Sequence, residues 1–161
     1  MVSAFRYFWL LALVATVLNA SIWCWNGKQW RQRDPALTES YRKLTRGFVI
    51  WGSLPWLVMG LGCMLGGLNA FDYFDPARGN PWVIAFFASV FVIWVLLAHW
   101  VFVRDGAEQV ARHPGLLRHG FSGSTETPAW AVKALVALAL AGGVAGVVMM
   151  FLGFPPPPRP R

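Results

Sequence analysis

Residues 82–103 read WVIAFFASVFVIWVLLAHWVFV, with no Asp, Glu, Lys or Arg among them. As a helix this run rises ~33 Å at 1.5 Å per residue, enough to cross a hydrocarbon core of ~30 Å. A helix on the surface of a soluble protein would carry a polar face, and this one is apolar all round. The run therefore reads as a membrane span.

Working outward, three more runs have the same character, at about 7–25, 48–68 and 130–154. None contains a carboxylate. The chain has 57% apolar and 13% charged residues, as expected where the exterior faces lipid. The expected fold is all-α: one domain over residues 1–154, a four-span helix bundle with a helical extension on the cytoplasmic side before the second span. Residues 155–161, PPPPRPR, are expected to form an extended exposed tail. No repeat unit recurs among the spans.

The net charge of +7 does not indicate nucleic acid, because the charges flank spans. Lys28, Arg31, Arg33, Arg42, Lys43 and Arg46 lie in the first connection. Arg104, Arg112 and Arg118 lie in the third, and Lys133 follows one turn inside the fourth span. Arg6, Arg78, Arg159 and Arg161 are on the other side. Ten basic residues against four place connections one and three in the cytoplasm and both termini outside. In a bacterium this describes a protein of the cytoplasmic membrane. The first run follows a single Arg6 and precedes the basic connection, the reverse of a secretory signal, so a retained helix is expected.

Local signals place the element ends. Asp34-Pro35, Asn80-Pro81 and Thr127-Pro128 each combine a capping residue with a proline suited to the first helical turn. After Pro35, Leu37, Tyr41, Leu44 and Phe48 form one apolar stripe, so one helix should run from the first connection straight into span two. Glu39 and Lys43 are spaced to pair. Pro55 should kink span two near Gly52-Ser53 by freeing the Trp51 carbonyl. A short helix is expected from Asp105 to Arg112, ended by Pro114-Gly115. Gly62/Gly66 and Gly142/Gly146 have the spacing at which helices pack closely, here within one chain. Trp9, Trp23, Trp25, Trp51, Trp82, Trp100 and Trp130 read as interface anchors.

Chemistry-bearing patterns are sparse. No span carboxylate is present to move a proton. His99 is the one span histidine, so two axial haem ligands are not available within one chain. His113 and His119 fit no zinc spacing and read as solvated. Cys24 and Cys63 lie at different depths and should not bridge. Ser53, Ser89 and Ser122 lack a nucleophile-elbow context. Asp72 and Asp75 read as part of a turn under an aromatic lid. No catalytic, cofactor or metal site is expected.

The site expectation is a polar layer in the membrane. Asn19, Ser53, the carbonyl freed by Pro55, and His99 fall within ~5 Å in depth. Small neighbours on their faces suggest that they converge, with Asn19 or His99 bonding Ser53 or the Trp51 carbonyl. Lys133 should instead snorkel to the surface. Arg31, Arg33, Arg42, Lys43 and Arg46 are the expected contacts to anionic lipid headgroups. The functional expectation is a non-enzymatic membrane subunit, scaffold or assembly factor whose partners are lipids and another membrane protein or a second copy. The alternatives are a small, dimeric channel or transporter, and thirdly a membrane redox subunit or enzyme.

Overall fold

The computed structural model describes residues 5–76, 79–113 and 127–152, with only the backbone of Gln29. The helices are α1 (Phe8–Asn26), α2 (Lys28–Arg33), α3 (Leu37–Leu65), α4 (Pro81–Val103), α5 (Gly106–Ala111) and α6 (Ala129–Phe151), with a 3-10 helix at Ala70–Phe74 between α3 and α4. The described residues contain no strand. Four helices, α1 continued by α2, α3, α4 and α6, are long and apolar enough to cross a bilayer. The protein is an all-α, integral membrane four-span bundle. The tail 155–161, Pro114-Gly115, Arg118, His119, Ser122 and Arg78 lie outside the described residues.

The element ends follow the local chemistry. Asp34 accepts a hydrogen bond from the Ala36 backbone N–H at 3.0 Å and starts the turn that leads into α3. Asn80 accepts from the Trp82 N–H at 2.9 Å, with Pro81 in the first helical position of α4. At α6 the helix begins one residue later than the Thr127-Pro128 signal implies. Pro128 occupies the cap position, and no side chain caps there. The second span runs as one helix from Leu37 through Pro55 to Leu65. It ends in a glycine turn: Leu68 N–H donates to the Gly62 carbonyl at 3.3 Å, and Gly67 takes a φ of 67°.

Contacts run from α1 to α3, from α3 to α4 and, more thinly, from α4 to α6. The spans thus form an open row with α1 and α6 at its margins. None of the most apolar stretch of α6 is buried, against 28% of that in α3. Most of the outer surface must be covered by lipid or by other protein.

Aromatic side chains seated on glycines set the rotation of the helices. A Cβ on Gly60 would lie 2.8 Å from the Trp9 indole, so glycine lets α1 and α3 close together there. Trp82 and the Tyr73 hydroxyl occupy the space beside Gly62, and Trp82 also covers Gly66. Trp94 seats on Gly143 and joins α4 to α6. Trp100 seats on Gly106, where Asp105 at φ 55° turns the chain sharply from α4 into α5. The Gly62/Gly66 spacing is therefore used inside the chain, as expected. Gly142 and Gly146 are not: a Cβ on either would meet nothing within 4 Å.

The anchor reading of the tryptophans divides along these contacts. Trp25 and Trp130 are exposed near helix ends, and Trp51 is exposed at mid-helix in α3, near the start of its apolar run, as anchors would be. Trp9, Trp82 and Trp100 fill glycine notches, and Trp23 stacks on Phe48 with ring centroids 4.4 Å apart. An indole serves either purpose, and the facing residue decides which.

Candidate functional site

Two clusters hold the side chains that could bear chemistry. One lies where α3 ends and the 3-10 helix begins. Asn69 and Asp72 form a reciprocal capping box: Asp72 Oδ2 accepts from Asn69 N–H at 2.8 Å, and Asn69 Oδ1 accepts from Phe71 N–H at 2.9 Å. This presents Tyr73 inward. It is 3% exposed, and its hydroxyl donates to the Met59 carbonyl at 3.1 Å. Burial raises the Tyr73 phenol above its ordinary range, and the nearby Cys63 and Asp72 add to the rise. The residue is a neutral plug. Arg6 Nε donates to the Cys63 carbonyl at 3.1 Å and pins the start of the chain to α3.

The second cluster lies on the side of the basic connections. Its centre is Tyr41, 2% exposed, on the stripe that continues α3 beyond the span. The stripe packs on the bundle: Tyr41 fits against Gly27, where a Cβ would lie 2.9 Å from its ring, and Phe48 meets Trp23. Arg31 donates to the Cys24 carbonyl at 2.7 Å, and its guanidinium stands 5.9 Å from the Tyr41 ring centroid. His113 meets Tyr41 edge-on, with ring centroids 4.8 Å apart. Its Nδ1–H donates to the Gln109 carbonyl, and its Nε2 is buried with no partner among the described residues. Lys133 of α6 reaches Glu108 of α5, Nζ to Oε1 at 2.8 Å. The Lys133 hydrogen bond holds the Glu108 carboxylate below its ordinary range. Residues 104–113 thereby tie α3 to α4 and α6.

These contacts correct several expectations. His113 is 6% exposed and is not a solvated loop histidine. It continues, at helical spacing, the stripe of buried Gly106 and Ala107 and partly buried Val110, and that spacing was the available signal. Lys133 does extend out of the span, but it ends on Glu108 and not among headgroups. Arg31 is turned inward, away from the role of a headgroup contact. Arg33, Arg42, Lys43 and Arg46 are exposed. Arg42 lies 2.6 Å from Glu39, closer than the expected Lys43 partner at 3.9 Å. Arg33 covers the Trp30 ring at 5.3 Å.

The polar layer does not assemble within the chain. Asn19 and His99 are exposed, Ser53 is half-buried and Pro55 is buried. Neither the Asn19 nor the His99 side chain has a hydrogen bond among the described residues, so Ser53 and the Trp51 carbonyl are not their partners. The reason is helical phase. Trp9 on Gly60 and Thr16 beside Gly52 set the rotation of α1, which turns Thr16 and Ala20 toward α3 and leaves Asn19 about 80° from their midline. On α4 the face shared by His99, Ala85, Ala88 and Val92 points outward as a whole. The contacts are made instead by Val83, Trp94 and Val101.

Cys24 and Cys63 are free thiols. Cys24 faces Thr45 across the basic-side half of α1, and Cys63 lies beside the Tyr73 plug. No group of three or more His, Cys, Asp or Glu is placed to hold a metal among the described residues. An apolar cleft of about 340 Å³ opens between α4 and the far half of α6, lined by residues such as Phe87, Phe91, Trp94 and Val147.

The fold and these clusters define a class, the small four-span integral membrane protein joined by aromatic–glycine contacts. No protein-family model matches the chain, and none of the curated proteins or solved structures is detectably similar to it.

Proposed function

We propose that this protein is a non-enzymatic membrane subunit, scaffold or assembly factor that works through helix and loop contacts. The observation that carries the reading is where the reactive side chains are used. Asp72 caps a helix, Tyr73 plugs the bundle, Glu108 binds Lys133, and His113 packs on Tyr41. Each serves an internal contact, while the outward faces of α1, α4 and α6 remain broad and apolar. In lipid, such faces associate by close packing and by hydrogen bonds between helices.

The charge bias of ten basic residues against four supports an orientation with connections one and three in the cytoplasm and both termini outside. In a bacterium this is the cytoplasmic membrane. Arg33, Arg42, Lys43 and Arg46 then face anionic headgroups from the inner surface, each adding about 1 kcal/mol of surface attraction.

Extraction of the tagged protein from its native membrane in a mild detergent tests the reading. A further membrane protein co-eluting at fixed stoichiometry is the expected result. Elution without a partner, together with solute or ion flux through vesicles holding the purified protein, would contradict it.

A further inference from the structure

We propose that α1 pairs with α1 of a second copy of this chain through a seam centred on Asn19. The inference rests on the reading of the protein as one that works through helix contacts, and it adds which helix and which partner.

The other polar side chains of α1 show why Asn19 stands apart. The Thr16 hydroxyl donates to the Ala12 carbonyl, and the Ser21 hydroxyl donates to the Val17 carbonyl, each at 2.9 Å. Both are satisfied within their own helix. The Asn19 amide has no bond among the described residues and is exposed. It lies seven residues before the end of α1 at Asn26, or ~10 Å inside a helix about as long as the hydrocarbon core is thick. Its side chain is too short to reach headgroups from there. Hydrocarbon offers no hydrogen bond, and an unmet amide is costly in it. His99 differs: it lies four residues, ~6 Å, from the end of α4, close enough for the ring to meet the interface.

The surroundings of Asn19 indicate what supplies its partner. Phe8, Ala12, Ala15, Asn19, Ile22 and Asn26 follow spacings of four, three, four, three and four, the period of two helices that stay in contact along their length. Ala15, Asn19 and Ile22 are exposed, Phe8 is exposed on one side and meets Trp56 of α3 on the other, and α1 is a margin of the row. The small side chains of Ala15 and Ala12 allow close backbone approach one and two turns from the amide. A carboxamide is its own complement, because its NH2 donates to the C=O of an identical group while its C=O accepts in return. A two-fold axis beside Asn19 satisfies both copies at once. The apolar face through Val14 and Leu18 is adequately covered by lipid, and so is the open glycine face of α6.

The test uses full-length protein in phospholipid vesicles, with Cys24→Ala and Cys63→Ala as background. Single cysteines are introduced as Ala15→Cys and Ile22→Cys on the seam and Val17→Cys on another exposed face. Oxidation should give disulfide dimers for the two seam positions and not for Val17→Cys. Adding Asn19→Leu should raise the dimer dissociation constant about tenfold, the loss of two hydrogen bonds between helices. Monomers at every protein-to-lipid ratio, equal cross-linking at Val17→Cys, or a dimer indifferent to Asn19→Leu would overturn the proposal. Cross-linking of the seam to a different chain in native membranes would overturn the self-pairing and leave the contact function standing.

Discussion

Lys133 on the last span and Glu108 on the short helix α5 are joined by an ion pair of 2.8 Å, with both side chains about one-third exposed at 38% and 33%. The two residues are 25 apart in sequence. The pair fastens α5 to α6, while His113, two residues beyond α5, rests on Tyr41 of α3. The span with the least burial is held chiefly at this end.

A pH dependence follows. The Lys133 hydrogen bond is the main cause that lowers the Glu108 carboxyl below 4.5. A group lowered in the fold stabilises it above its unfolded pKa, and the contribution is lost as pH falls through the folded value. Thermal unfolding in detergent should therefore show a loss of stability as pH falls below about 4.5 that is smaller in Glu108→Gln. Equal acid sensitivity in both proteins would dismiss the pair as a contributor.

The aromatic–glycine contacts make a sharper prediction about stability. Gly60→Ala places a methyl 2.8 Å from the Trp9 indole and should cost about 1–3 kcal/mol. Gly142→Ala meets nothing within 4 Å and should be neutral within about 0.5 kcal/mol. Unfolding in mixed micelles measures both. A larger loss for Gly142→Ala than for Gly60→Ala would mean that α1 and α3 do not meet through this notch.

Topology can be tested with a membrane-impermeant thiol reagent on cells, again with Cys24 and Cys63 replaced by alanine. Phe74→Cys, on the exposed side of the 3-10 helix, should be labelled from outside. Ala36→Cys should be labelled only after the membrane is opened. Labelling of Ala36→Cys in intact cells would invert the orientation.

Much of the fold was legible because hydrophobic length is a one-dimensional signal. The run at residues 82–103 needs no partner to declare itself, and the stripe Leu37, Tyr41, Leu44 and Phe48 correctly implied a helix continuing into span two. The candidate layer was not legible, because it depended on rotation. Asn19 and Thr16 are only three residues apart, yet one is exposed and the other faces α3. That choice is made by Trp9 meeting Gly60, a match between two helices that neither sequence segment displays alone. His113 was missed for a related reason. Its place on a buried stripe is visible only once α5 is extended to include it.

The central claim, that this protein acts through contacts with other membrane proteins, is tested most directly by native mass spectrometry of complexes released from native membranes in lipid discs. The account predicts a mass that includes two copies of this chain and a further membrane protein in fixed ratio. A mass corresponding to one chain with lipids alone would contradict it.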